Sequence, residues 1–379
     1  MAKRDGTTDL NEEAKHSNED KTTTKEAPFL ALKGFLMGSA DIVPGVSGGT
    51  MALILGIYER LLNAIKSADS IFFKNILTLK WKAAFKELHF FFLVVLFSGI
   101  FSAAVFFTKV VPLQVYMFTH PEIVYGLFFG LIVGSIFILI KSLERFSVRE
   151  IISVIAGLVI GAWIVTLVPT DTPEHPAFVF LTGMISISAM ILPGISGSYL
   201  LLIMRKYDYI LSNISLIWGD DPITGIINIL PFTLGTLVGI ALFSRFLSWL
   251  LGKFHSQTIS VLIGFMIGSL LVIWPFQHRD FIEQVREVEE VSITDERVIQ
   301  LKENQNENLP EFERLGEEVN STTIQVQTVK KKLIKSSPYI PSSIGTDGTE
   351  TPNVWGGIIG MVLGVLMVGG LDKLREVKE

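Results

Sequence analysis

The chain has 379 residues, of which 49% are hydrophobic, with 27 Phe, no Cys and a formal net charge of −5. A mean hydropathy of +0.48 points to a membrane rather than to a water-soluble core. The missing Cys excludes disulfides and thiolate metal sites, the absence of a basic stripe argues against nucleic acid, and no nucleotide loop or metal-ligand cluster appears, so no cofactor and no metal are expected.

In chain order, residues 1–27 are polar and charged without an apolar run, and read as a disordered cytoplasmic tail rather than a signal peptide. Residues 29–65 form an apolar hairpin broken at Pro44-Gly45-Val46-Ser47-Gly48-Gly49. Three stretches of spanning length follow, at 90–111, 123–140 and 151–168. A second apolar hairpin, 178–212, breaks at Pro193-Gly194-Ile195-Ser196-Gly197-Ser198 and precedes spans at 226–243, 259–276 and 354–371. Between the last two, residues 277–353 are dense in Glu, Arg and Asn, alternate like a short strand over 321–334, and turn linker-like over 336–352. That insertion reads either as a mobile appendage or as the docking site of an extracytoplasmic partner.

The two broken segments are copies of one another. Shifted by 149 positions, Gly34, Ser39, Ala40, Ile42, Pro44, Gly45, Ser47, Gly48, Leu53, Ile54, Tyr58 and Leu62 fall on identical residues. Residues 28–168 are thus a first repeat, and 169–276 plus 354–371 a second. Three spans separate the copies, so the second enters the membrane from the opposite face, the plan of many secondary transporters. The expected fold class is an all-α polytopic membrane protein, an inverted repeat of a broken re-entrant hairpin plus three transmembrane helices. Lys and Arg positions favour re-entrant hairpins over single kinked crossings. Loops holding Arg60, Lys66, Lys74, Lys80, Lys82 and Lys86, and later Lys141, Arg145 and Arg149, then face the cytoplasm, whereas 112–121 and 169–176 carry no Lys or Arg. Both termini are placed in the cytoplasm and 277–353 outside.

A broken helix in hydrocarbon is tolerated only within protein or beside a water-filled cavity. Pro44 and Pro193 end the first helix of each hairpin, and Gly45 and Gly194 permit a tight turn. Ser47, Gly48 and Gly49, and equally Ser196, Gly197 and Ser198, then open the next helix with unpaired amides suited to an anion. Packing hinges are the competing reading. Asp41 stands near the first turn as a proton- or cation-coupling residue, or as a carboxylate satisfied by its own hairpin. Arg205 and Lys206 either recruit a phosphate from the outer leaflet or snorkel to headgroups. Glu59 and Arg60 end the first hairpin and suit a mutual pair, and Tyr58 and Tyr207 suit interfacial anchors. Both turns also match the G-x-S-G of intramembrane serine proteases, but the six His lie in the tail, in loops or at span ends, where no general base serves either serine.

The pair SADIVPGVSGGTMALILGIYERLL and SAMILPGISGSYLLLIMRKYDYIL resembles the bacterial polyprenyl-phosphate (undecaprenyl-phosphate) translocases, formerly a domain of unknown function. The resemblance covers roughly residues 28–276 and the final helix, and leaves 277–353 without a counterpart. It implies a non-enzymatic flippase of the bacterial cytoplasmic membrane that returns undecaprenyl phosphate from the outer to the cytoplasmic leaflet for envelope-glycan synthesis. Residues 44–49 and 193–198 are the positions that match the family motif. A carrier of a small water-soluble anion, an intramembrane serine hydrolase and a non-transporting scaffold are the alternatives.

Overall fold

The computed structural model describes residues 22–43, 47–67, 70–81, 89–143, 147–167, 169–219, 221–303, 307, 309–341 and 352–376. Pro44 and Gly45, most of the expected N-terminal tail and Lys82 and Lys86 lie outside the described residues. The first copy contains α1 (Ala27–Asp41), α2 (Gly48–Ile54), α3 (Tyr58–Lys66), α4 (Ser70–Leu77), α5 (Phe90–Lys109), α6 (Leu113–Thr119), α7 (Pro121–Ser142) and α8 (Val148–Val165). The second contains α9 (Pro176–Ile191), α10 (Gly197–Ile203), α11 (Tyr207–Trp218), α12 (Pro222–Lys253) and α13 (His255–Ser269). Then come β1 (Gln277–Ser292), α14 (Glu296–Glu303), β2 (Glu311–Asn320), β3 (Thr323–Pro338) and α15 (Val354–Glu376).

The repeat survives at the level of elements. Helices α1, α2 and α3 begin 149 residues before α9, α10 and α11, and α2 and α10 also end in step. After each seven-residue helix the chain turns through a left-handed residue at the same repeat position, Gly56 at φ +66° and Arg205 at φ +50°. The flanking hydrogen bonds match too, since Ile57 N donates to Ala52 O and Lys206 N to Leu201 O, at 2.9 and 2.8 Å.

Five helices among the described residues are long and apolar enough to cross a membrane: α5, α7, α8, α12 and α15. The expected span at 259–276 is corrected. Helix α13 ends at Ser269 after 15 residues, about 22 Å of helix against about 30 Å of hydrocarbon. Residues 270–273 already turn, and Pro275, which has no amide hydrogen and disfavours a helical residue before it, keeps the last positions of the predicted length out of a helix. Ile263 and Met266 of α13 are wholly buried, so this helix is wrapped by protein. Neither α1 nor α9, with 15 and 16 residues, reaches spanning length.

Two compact units emerge from the chain's contacts. One comprises Met1–Phe106, Ile132–Leu270 and Val368–Glu379, the other Phe107–Leu131 and Leu271–Met367. In the first, glycines bring helix backbones together. A Cβ on Gly34 of α1 would lie 2.2 Å from Leu96 O of α5, and one on Gly183 of α9 would lie 2.3 Å from Phe232 O of α12. Gly34 and Gly183 are repeat equivalents, and each seats its helix on the next long one. Gly157 of α8 likewise meets Val261 O of α13 at 2.2 Å. In the second unit, Gly130 of α7 meets Met361 O of α15 at 2.0 Å. Exchanging the copies turns α7 against α15 into α13 against α8, where Gly264 of α13 meets Val154 O of α8 at 2.3 Å. Without a hydrophobic drive between helices in lipid, such small-residue contacts supply the packing.

The all-α expectation is corrected in the second unit. Segment 277–338 holds an antiparallel sheet of order β1-β3-β2, with Gln277 opposite Pro338 and Ser292 opposite Thr323. Val298 of α14 packs with Ile324 and Val326 of β3, and Val291, Leu301 and Leu315 close around them. The strand read at 321–334 is the body of β3, and the stretch read as a linker from 336 still belongs to that strand up to Pro338.

Candidate functional site

The candidate site is the pair of helix breaks, and both lie in the first unit. Ser47, in extended conformation, caps α2 by accepting from Gly49 N at 3.1 Å. Asp41, at the end of α1, reaches back and accepts from Gly48 N through Oδ1 at 2.6 Å. A Cβ on Gly48 would lie 2.5 Å from Asp41 Oδ2, so the glycine makes room for this carboxylate. Of the two readings of Asp41, its hydrogen bond fits a carboxylate satisfied by its own hairpin's amide. In the second copy Met190 replaces Asp41. Ser196 accepts from Tyr199 N at 3.4 Å and shares a 2.9 Å hydrogen bond with Ser198 Oγ, on the exposed side of the turn. Gly194 has a left-handed φ of +82°, and a Cβ there would also lie 2.6 Å from Phe265 O, so conformation and space both select glycine. Pro193 and Gly197 are buried beside it.

The two turns, 149 residues apart in sequence, are tied to each other. The Ser47 hydroxyl is directed at Met190 O and Leu192 O, 3.3 and 3.5 Å away. Gly194 N donates to Thr50 Oγ1 at 2.9 Å, and Tyr58 OH donates to Ile191 O at 3.0 Å. A Cβ on Gly49 would stand 2.7 Å from Ile191 O, so this glycine also permits the approach of the other copy. These contacts saturate backbone groups that hydrocarbon would leave unpaired.

The charged candidates are distributed differently from the sequence expectation. Arg205 is exposed and pairs with Asp171 Oδ1 at 2.7 Å. Lys206 turns inward instead of snorkelling, with 2% of its surface exposed. Its Nζ donates to Thr172 O at 2.9 Å and lies over the Phe178 and Tyr209 rings. Glu59 and Arg60 take separate partners. Glu59 Oε1 is 3.1 Å from His255 Nε2, whereas Arg60 bonds the Thr22 hydroxyl and covers the Phe92 ring. Tyr58 is not an interfacial anchor, for it is 2% exposed.

Sequence reasoning passed over Thr50, Tyr199, Ser186 and Lys33. Tyr199 OH donates to Val165 O at 3.0 Å, Ser186 Oγ to Gly197 O at 2.9 Å, and Lys33 Nζ to Leu55 O at 2.8 Å, where α2 ends. A lysine inside an apolar stretch is itself a signal that could have drawn notice to Lys33. Neither turn serine is arranged as a nucleophile among the described residues, since Ser47 faces carbonyls and Ser196 faces Ser198.

Chemically, the arrangement offers a hydroxyl pair on one turn and, on the other, an amide already held by a carboxylate.

Comparison with known proteins bears on what meets these groups. A sequence model of the undecaprenyl phosphate translocase-like family matches residues 37–291, a range that includes both turns. The chain is 32% identical over 351 residues to a polyprenyl-phosphate transporter of Vibrio cholerae, covering 91% of this chain and 96% of the relative. It is also 32% identical over 259 residues to a polyprenyl-phosphate transporter of Staphylococcus aureus, covering 64% of this chain and 85% of the relative. No solved structure matches the chain. With the model spanning more than half of it and a relative aligned over nearly its full length, the chain belongs to the undecaprenyl phosphate translocase-like family.

Proposed function

We propose that this protein carries a polyprenyl phosphate, undecaprenyl phosphate in bacteria, from the outer to the cytoplasmic leaflet of the cytoplasmic membrane, where envelope-glycan synthesis reuses it. The names of the relatives support the substrate class. The observation that carries the site assignment is the joining of the two turns through Ser47, Thr50 and Tyr58. In this reading the phosphate is held at Ser47–Gly49 and Ser196–Ser198, while the isoprenoid tail stays in lipid. Arg205 captures the headgroup, exchanging its exposed partner Asp171 for phosphate, and Lys206 adds positive potential from behind. Asp41 couples transport to a proton or cation, because phosphate arriving at Gly48 N must displace its carboxylate or find it neutralised. The copies enter from opposite faces, both termini are cytoplasmic, and segment 277–353 stands outside, open to a partner there. No bond in the lipid is made or broken.

The test is a leaflet-resolved assay of undecaprenyl phosphate in vesicles holding the purified protein. Wild type moves the lipid. The Ser196→Ala, Ser198→Ala double variant binds it roughly tenfold more weakly, as expected when hydrogen bonds to a charged group are lost. If the lipid keeps its starting leaflet while a water-soluble phosphate monoester crosses, the protein is a small-anion carrier instead.

A further inference from the structure

The two copies share a backbone plan but not their cross-links. From the first copy, Ser47 Oγ and Tyr58 OH reach carbonyls of residues 190–192 in the second, and Thr50 Oγ1 receives Gly194 N. The equivalents in the second copy do something else. Ser196 pairs with its neighbour Ser198, Tyr199 OH bonds Val165 O, and Tyr207 is 37% exposed while Tyr58 is 2% exposed. Divergence explains only part of this. Position 50 is Thr against Tyr199, but Ser47 and Ser196 are the same residue, as are Tyr58 and Tyr207. Identical side chains on matching backbones have different partners because the two hairpins stand unequally toward each other.

In a protein built from two copies, unequal contacts between equivalent residues describe one of two arrangements related by exchanging the copies. We propose that Tyr58 on Ile191, with Thr50 on Gly194, is a latch holding one such arrangement, and that in the other Tyr207 closes the counterpart latch on the carbonyl of Ile42. Ile42 is the residue 149 positions before Ile191, and Ser196 would then face the carbonyls of Asp41 and Val43. Tyr58 and Tyr207 are positioning residues in this scheme, since neither needs to touch the lipid. The inference rests on the reading of the chain as a transporter, and it deepens that reading by naming the contacts that alternate.

The experiment uses the full chain, which has no native Cys. One protein carries Tyr58→Cys with Ile191→Cys, another Ile42→Cys with Tyr207→Cys, each in vesicles treated with a short bifunctional thiol reagent. Both pairs are expected to link, and saturating undecaprenyl phosphate to change their ratio. Adding Tyr58→Phe to the 42–207 protein should raise its linked fraction by roughly fivefold, the effect of one ordinary hydrogen bond. A readout free of the 42 position is maleimide labelling of a single Tyr207→Cys. Its initial rate should fall below that of an open thiol, and Tyr58→Phe should slow it further. Linking at 58–191 with none at 42–207, with or without Tyr58→Phe, and a labelling rate at 207 that Tyr58→Phe leaves unchanged, would overturn the latch. The lipid is not needed for either linking readout. Linking of both pairs with failure of the leaflet assay would therefore refute the substrate and keep the latch, and the converse would refute the latch alone.

Discussion

At the scale of single residues, Asp41 and Gly48 act as a unit. The carboxylate caps the first amide of α2, and the missing side chain of Gly48 is what admits it. Asp41→Ala and Gly48→Ala should each lower stability by about 1 kcal/mol, the usual worth of a helix cap. Together they should cost little more than either alone, because both remove one contact. Thermal unfolding of the detergent-purified protein checks this, and additive losses would mean that the carboxylate does no capping. Arg205 presents the opposite case, a charged residue kept in a left-handed conformation where the first copy has Gly56. Its exposed pair with Asp171 is worth at most about 1 kcal/mol. Arg205→Gly should therefore be no less stable than wild type, since left-handed backbone costs about 1–2 kcal/mol outside glycine, while Arg205→Gln keeps that cost. Both variants should weaken capture of phosphate lipid at low concentration. Unchanged capture by both would reduce Arg205 to a structural partner of Asp171. The serines and glycines of the turns were legible because Pro and Gly announce a break and Ser a cap. Thr50 and Tyr58 were not, since their partners lie in the other copy and no local pattern encodes a contact across 133 to 144 residues.

Among elements, glycine position separates packing from filler. A Cβ on Gly157 of α8 would press on Val261 O at 2.2 Å, while Gly369 of α15 has nothing within 4 Å. Gly157→Ala should lose about 1–3 kcal/mol by overpacking, and Gly369→Ala should be neutral or gain up to about 1 kcal/mol of helix propensity. Comparing their melting temperatures decides the matter, and equal effects would contradict the packing of α8 on α13. The long helices were legible from uncharged runs, and the seven-residue α2 and α10 from the duplicated motif. The sheet was not. Most of β1 is exposed on both faces, so Glu, Gln and Arg fill it without the alternation that marks a half-buried strand. Helix α13 was read too long because 270–276 is as apolar as the helix itself, and those residues turn instead of continuing. Hydropathy reports burial in something apolar, and here that something is partly the protein.

For the whole molecule, the account joins an exchange-related pair of hairpins to a charge-based orientation. A Cys placed at position 74 should resist an impermeant reagent added outside intact cells, while one at the exposed position 299 should react. The reverse pattern would invert the membrane orientation and with it the proposed direction of transport. The central claim is that the two turns form one phosphate site, and a double-mutant cycle on undecaprenyl phosphate binding tests it most directly. Ser47→Ala and Ser196→Ala each remove a hydroxyl but leave the helix amides in place, so binding should weaken and remain measurable. The account predicts that the two losses are non-additive by at least about 0.5 kcal/mol, as for groups that share a partner. Strictly additive losses, in proteins that fold normally, would make the turns separate packing hinges and move the phosphate elsewhere.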